Sequence, residues 1–190
     1  MSSPAAKLKV SFTEYLAAEV KSDRKHQLVD GEVFDMTGGS FTHSKLILAV
    51  GAELRAQLRG RPCSVFGSET RVRAHHLVTY PDCVVVCGDP QTDPEDPYTL
   101  LNPVVLVEVL SESTEAFDRG HKAEQYRRIP SLREFVLVSQ HKAHLECFRR
   151  TEAGWSFHEV GAAQRLRLDS IDCELEVEAV YLGVLGQGQG

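Results

Sequence analysis

Two acidic residues stand beside or inside strongly apolar runs of this 190-residue chain. Glu108 interrupts the aliphatic run Val104–Leu110, and Asp82 directly precedes the apolar run Cys83–Cys87. An ionised carboxylate is costly to bury unless it is paired or binds a cation. If the two runs form neighbouring strands, the carboxylates meet at one edge of a sheet. They would then offer the oxygen ligands that Mg²⁺ prefers.

The segment after Glu108 supports the metal-site interpretation. It has the pattern of a helix over 114–128, which Pro130 stops. Asp118, Lys122 and Tyr126 are spaced four apart and therefore share one helical face. A short turn would bring this helix back over the same sheet edge, where Lys122 can reach the two carboxylates and Asp118 can orient its ammonium group.

Plainer interpretations stay open on spacing alone. Asp82 could cap a turn, and Glu108 could end a strand in a salt bridge with an arginine. Asp118 and Lys122 could lie on a solvated helix face, where such a pair contributes only about 0.3–0.5 kcal/mol.

The elements that must position these residues follow from local signals. Ser11 and Glu14 fit a capping box at the start of a first helix. Asp30-Gly31 between two apolar stretches predicts a hairpin. Ser40 or Thr42 could cap a second helix that ends near Gly60. Strands are predicted at 63–73, 83–87, 104–110, 134–139, 144–149 and 155–160, and an exposed loop at 89–102. Together these elements predict a single α/β domain over 1–182, with a mixed central sheet flanked by helices, and a disordered glycine-rich tail over 183–190.

Composition restricts the class of protein. Apolar residues make up 42% and charged residues 25% of the chain, as in soluble globular proteins. No apolar run approaches the roughly 20 residues that span a membrane, and the start lacks a secretory pattern, so a cytoplasmic location is expected. A net charge of −6 argues against a broad basic surface. The five scattered cysteines predict buried, reduced thiols and no zinc site.

The order of these motifs resembles the PD-(D/E)XK, or restriction-endonuclease-like, nuclease superfamily, and within it the bacterial Uma-two family. The resemblance covers about residues 12–180. The matching stretches are Leu28–Glu32, Tyr80–Val86, Asn102–Ser111, Ser113-Thr114, Asp118–Lys122, Tyr126 and Ile129–Phe135.

This resemblance implies a Mg²⁺-dependent or Mn²⁺-dependent phosphodiesterase site acting on nucleic acid, with DNA as the expected substrate. Asp82, Glu108 and the backbone carbonyl of Val109 would bind the metal. The superfamily usually places its lysine two residues after the acid, where this chain has Leu110. The Uma-two family is thought to supply the lysine from the next helix, which points to Lys122.

The resemblance also suggests accessory residues. Glu32, just past the hairpin turn, is the candidate for a further catalytic acid. His43 and Tyr126 are candidates for substrate contact, although His43 could instead serve the helix cap. Arg119, by its place on the predicted helix after Glu108, could contact phosphate groups or lie on solvated surface. The family often has a glutamate where this chain has Gln27, and this departure favours the alternative of an inactive nuclease-fold module that binds nucleic acid or protein. A homodimer is compatible with the resemblance.

Overall fold

The computed structural model describes residues 9–36 and 38–185. The strands are β1 (His26–Val29), β2 (Glu32–Asp35), β3 (Cys63–Gly67), β4 (Arg71–Ala74), β5 (Leu77–Thr79), β6 (Cys83–Cys87), β7 (Thr92–Asp93), β8 (Asp96–Leu100), β9 (Val105–Val109), β10 (Glu134–Val138), β11 (His144–Thr151), β12 (Gly154–Gly161), β13 (Arg165–Leu168) and β14 (Cys173–Glu176). The helices are α1 (Phe12–Glu19), α2 (Phe41–Gln57), α3 (Glu115–Phe117), α4 (Ala123–Arg127) and α5 (Val177–Tyr181), with a π-helix at Asp118–Lys122 and a 3-10 helix at Asp169–Ile171. We call the continuous run of α3, the π-helix and α4 the site helix.

A six-stranded mixed sheet forms the centre, in the order β12-β11-β10-β9-β6-β3. β9 and β10 run parallel, and the other neighbours are antiparallel. Side chains point alternately to the two faces of a sheet along each strand. The side chains of β9 are buried on both of these faces. Its Val105 and Val107 pack in one core with α2, α5 and the β13–β14 hairpin. Leu106 packs in a second core with the site helix and the other large sheet.

The second sheet has the order β2-β1-β5-β4-β8-β7. The predicted hairpin is confirmed, since β1 and β2 pair across Asp30 and Gly31, which both have positive φ. The predicted capping box is also confirmed at α1, where the Ser11 and Glu14 side chains bond each other's backbone. The mixed α/β architecture predicted from the sequence is therefore correct.

Two predictions along the chain were wrong. Residues 63–73 form two strands in different sheets, because a turn after Gly67 separates β3 from β4. The predicted exposed loop contains β7 and β8. Asp93 and Asp96 of these strands are buried in ion pairs with Arg73 and Arg71, so a polar sequence here does not mean an exposed one.

The cysteine prediction needs a correction. Cys63 and Cys87 are disulfide-bonded, because the β3–β6 register places them opposite each other. Cys83, Cys147 and Cys173 are free and buried, as predicted.

Two further findings concern the chain ends and the membrane. Of the predicted tail, 186–190 lie outside the described residues, whereas Val184 and Leu185 are half-buried against the core. Within the described residues, every helix is too short or too polar to cross a membrane.

Candidate active site

The antiparallel register of β6 and β9 places the two predicted carboxylates opposite each other. Cys83 pairs with Val107 and Val84 with Leu106, so one further step along the ladder aligns Asp82 with Glu108. Directly opposed residues have Cβ atoms about 5 Å apart on the same face of a sheet. The predicted convergence of Asp82 and Glu108 is therefore present at the end of two central strands.

Glu108 is buried and makes two contacts through one carboxylate oxygen. Tyr126 Oη donates to Glu108 Oε1 at 2.6 Å, and Lys122 Nζ lies 3.2 Å from the same atom. Burial raises the pKa of Glu108 to about 8; the Lys122 charge and the Tyr126 hydrogen bond oppose the rise, and Asp118 and Asp82 add to it. A buried carboxylate of this kind gains from a further cation.

Lys122 reaches the site from the helix that follows β9, as the sequence predicts. Its Nζ atom lies 2.7 Å from Asp118 Oδ1, and only 5% of the residue is exposed. Burial lowers the pKa of Lys122, but the Glu108 and Asp118 carboxylates outweigh burial and keep the pKa above its usual value. Leu110, the superfamily's usual lysine position, lies in the core instead. The site therefore holds a fixed ammonium group.

Asp82 is held in place by the Val109 backbone and by His43. The Val109 N–H donates to Asp82 Oδ2 at 2.7 Å, and His43 Nε2 lies 3.5 Å from the same oxygen. The hydrogen bond with Asp82 raises the pKa of His43, although burial opposes this shift. The His43 ring packs against Gly39, where an added Cβ would come within 2.5 Å of Nδ1. A residue with a side chain at Gly39 would therefore displace His43.

The structure separates the two roles predicted for His43. The helix cap is formed by Ser40, whose Oγ accepts the His43 backbone N–H, so the His43 side chain does not serve the cap. The His43 ring lines the same cavity as Asp82 and Glu108, and its contact with substrate stays a prediction.

The two carboxylates open onto a cavity of about 620 Å³. Asp82 Oδ1 and Glu108 Oε2 have no hydrogen bond to another described residue, and both side chains line this cavity. Two such oxygens suit a hard divalent cation, so the donor set fits the expected metal. In the part of the chain described, no three His, Cys, Asp or Glu side chains cluster as a metal site.

Three predicted residues are placed away from the cavity. Glu32 lies in β2 and does not line the cavity. The Arg119 guanidinium is held by Glu115 at 2.7 Å and by Glu146, and Arg119 does not line the cavity. Tyr126 is fully buried and bonds Glu108, which makes it a positioning residue and corrects the prediction of substrate contact.

Gln140 is a site residue that sequence reasoning missed. Its Oε1 accepts a hydrogen bond from Ser40 Oγ at 2.6 Å, and its Nε2 donates to the Leu110 carbonyl. It therefore ties the start of α2 to the end of β9 at the cavity rim. The available signal was its position just after β10, which is the parallel neighbour of β9.

A mixed sheet with paired carboxylates at one strand edge, and a lysine from the following helix, defines a nuclease-fold domain. A family profile described as "Putative restriction endonuclease" (Uma2) matches residues 12–179. The chain belongs to the Uma2 family.

Similar proteins support this assignment. The chain is 33% identical over 186 residues to the "Uncharacterized protein slr1290" of Synechocystis sp. (96% of this chain, 97% of that protein), and 27% identical over 177 residues to "Uncharacterized protein sll1609" of the same organism (92% and 95%). It shares its fold, with a TM-score of 0.74 and 12% identity, with a crystal structure described as "a putative nuclease belonging to DUF820 from Anabaena variabilis"; the match covers 91% of this chain and 98% of that one.

Proposed function

We propose that this protein is a metal-dependent endonuclease that hydrolyses phosphodiester bonds in nucleic acid, with DNA as its substrate. The observation that carries the proposal is the pair of opposed carboxylates, Asp82 and Glu108, each with one oxygen available to a cavity and with a buried ammonium group beside them. Membership of the Uma2 family supports the same reaction class.

Asp82, Glu108 and the Val109 carbonyl would hold Mg²⁺ or Mn²⁺. The bound ion supplies Lewis acidity toward water and toward the scissile phosphate. The Val109 N–H and His43 hold Asp82 Oδ2, and Tyr126 and Lys122 hold Glu108 Oε1. The oxygens not used in these contacts are the ones left for the ion.

Lys122 would stabilise negative charge as it develops on the phosphate. Its ammonium group is fixed by Asp118 and Glu108 before substrate arrives, so little reorganisation is needed during the reaction. His43 lines the cavity beside Asp82 and would orient the attacking water or the phosphate there.

The test is cleavage of single-stranded and double-stranded DNA with Mg²⁺ or Mn²⁺. Wild type should cut, Lys122→Ala should lose on the order of 10²–10³-fold in rate, and the exposed-lysine control Lys21→Ala should match wild type. If wild type cuts no substrate, or if Lys122→Ala cuts as fast as wild type, the proposal is wrong.

A second candidate is a module that keeps the fold and binds without cutting. The net charge of −6 and the amide at Gln27 favour it. Calorimetric titration with Mn²⁺ separates the two functions, because an endonuclease must bind the ion through Asp82 and Glu108. Binding that is unchanged in Asp82→Asn and Glu108→Gln, or absent from wild type, would favour the non-cutting module.

A further inference from the structure

Helix α2 presents an exposed stripe without any acidic side chain. At about 100° per residue, five exposed positions of the helix at spacings of three and four fall within a band of about 80°. They are Phe41, Ser44, Leu48, Ala52 and Arg55, and the exposed Arg59 follows two residues after the helix ends. The single acidic residue of α2, Glu53, lies on the opposite side. We call these six positions the α2 stripe.

One end of the α2 stripe meets the candidate active site. A second cavity of about 680 Å³ is lined by Ser44 and Leu48. It shares His43, Tyr80 and Asp82 with the cavity that contains the carboxylate pair. The two cavities therefore form one groove that leads from Asp82 onto α2.

The other end of the α2 stripe meets three arginines. Arg55, Arg59 and Arg61 line a cavity of about 490 Å³ whose lining contains no acidic residue. Arg61 donates to the Asp172 carbonyl at 3.1 Å, and within the described part of the chain Arg55 and Arg59 form no ion pair. Three guanidinium groups without a carboxylate are unusual in a chain of net charge −6, and arginine binds phosphate groups well.

The geometry points to the α2 stripe as the path of the nucleic-acid backbone away from the scissile bond, with Arg55, Arg59 and Arg61 as a phosphate clamp at its end. This inference rests on the proposed function, because it extends the substrate beyond the catalytic cavity. Ser44 and Arg55 are about 17 Å apart along the helix, which corresponds to about 5 base pairs of duplex. A substrate too short to reach the clamp would lose this contact.

The clamp would also explain how an acidic protein holds a polyanion. The carboxylates at the catalytic cavity repel phosphate until a cation binds, whereas the remote arginines attract it in either state. The side chains between the two ends, such as Leu48 and Ala52, carry no charge that would oppose the backbone.

The experiment measures binding of a labelled 30-base-pair duplex and of a short duplex, a 4-base-pair stem-loop, by fluorescence anisotropy with Mn²⁺, in a Lys122→Ala background that keeps both carboxylates. The variant is Arg55→Gln with Arg59→Gln. The control, Arg128→Gln with Arg165→Gln, removes the same charge from two exposed arginines that are paired with carboxylates. The clamp variant should bind the long duplex about tenfold or more weakly, and its salt slope should fall by about two. The control should bind like the background protein, and the short duplex should not distinguish the variants.

Several outcomes would overturn the inference. Equal losses in the clamp variant and the control would mean that only net charge matters. An equal loss on the short duplex would mean that the catalytic cavity is disturbed. A change of oligomeric state in sedimentation, with DNA binding unaltered, would assign the arginines to a subunit interface. If wild type binds the long duplex through the clamp but never cuts, the proposed function fails while this inference stands.

Discussion

Two buried glutamates on neighbouring parallel strands, Glu108 of β9 and Glu134 of β10, have opposite surroundings. Glu134 is fully buried, and both of its oxygens accept hydrogen bonds: Oε1 from Arg149 Nε and the Asp169 N–H, and Oε2 from the N–H and hydroxyl of Ser170. Glu108 uses Oε1 alone for Tyr126 and Lys122 and lines a cavity with its other oxygen.

The difference shows that the hydrogen bonds of a buried carboxylate indicate whether its role is structural or functional. Glu134 is saturated with donors and fastens the 3-10 helix to the central sheet, so its role is structural. Glu108 is left with a free oxygen, neighbouring negative charge and a raised pKa of about 8 caused mainly by burial. Such a group would be stabilised by a ligand that the chain itself does not supply. Buried ionisable groups with shifted pKa values of this kind are typical of functional sites.

The largest expected effect is a loss of cleavage activity when Glu108 is changed. Glu108→Gln should reduce DNA cleavage on the order of 10³-fold, because it removes a ligand charge where charge stabilisation dominates the rate. Single-turnover cleavage rates provide the measurement, with the exposed-residue variant Glu152→Gln as the control. A Glu108→Gln enzyme that cuts at the wild-type rate would remove Glu108 from the site.

Glu134→Gln should instead reduce the stability of the fold and leave cleavage almost unchanged. The amide group would face the backbone N–H groups of Asp169 and Ser170 and leave Arg149 with a weaker partner, which should cost about 3 kcal/mol in the free energy of unfolding. Urea denaturation measures this loss, and the folded fraction should cleave within about twofold of wild type. Unchanged stability would show that Glu134 is not the fastening group.

Tyr126→Phe tests whether the hydroxyl on Glu108 serves activity. It removes one hydrogen bond to a charged group, worth about 1.5 kcal/mol, and should slow cleavage about tenfold. The KM for DNA should stay constant, because Tyr126 is buried and cannot contact substrate. A change in KM alone would return Tyr126 to substrate binding.

Ser170→Ala is the matched change at the other glutamate and should have the smallest effect. It removes one hydroxyl donor while the Ser170 N–H remains, so the free energy of unfolding should fall by about 1 kcal/mol. Cleavage should be unaffected. A clear loss of activity in Ser170→Ala would show that the two glutamates are coupled and would weaken the comparison.

Much of the candidate site could be predicted from the sequence because local patterns encode it. A carboxylate within an aliphatic run marks Glu108, and the spacing of Asp118, Lys122 and Tyr126 puts them on one side of a helix. Their contacts in the structure follow from these two patterns. Glu134 also opens an apolar strand, yet its donors come from residues 149–170, so sequence alone could not tell a saturated carboxylate from an available one.

The errors share a physical cause, which is pairing between distant segments. Asp93 and Asp96 look like loop residues, but Arg73 and Arg71 make their burial acceptable. Cys63 and Cys87 meet only because β3 and β6 are neighbours. Glu32 is a candidate only through the family resemblance, and the hairpin does not bring it to the cavity.

The π-helix at Asp118–Lys122 makes the number of residues in this segment important for the geometry of the candidate site. A π-helical turn holds more residues than an α-helical one, and such turns are frequent at functional sites. Removing one residue between Asp118 and Lys122 would restore an ordinary α-helical turn there and change the position of Asp118 relative to Lys122. Lys122 and Tyr126 would keep their spacing, but the Asp118 carboxylate could lose its contact with the Lys122 ammonium group. Related chains that keep this chemistry should therefore tolerate many substitutions in this segment but neither insertions nor deletions.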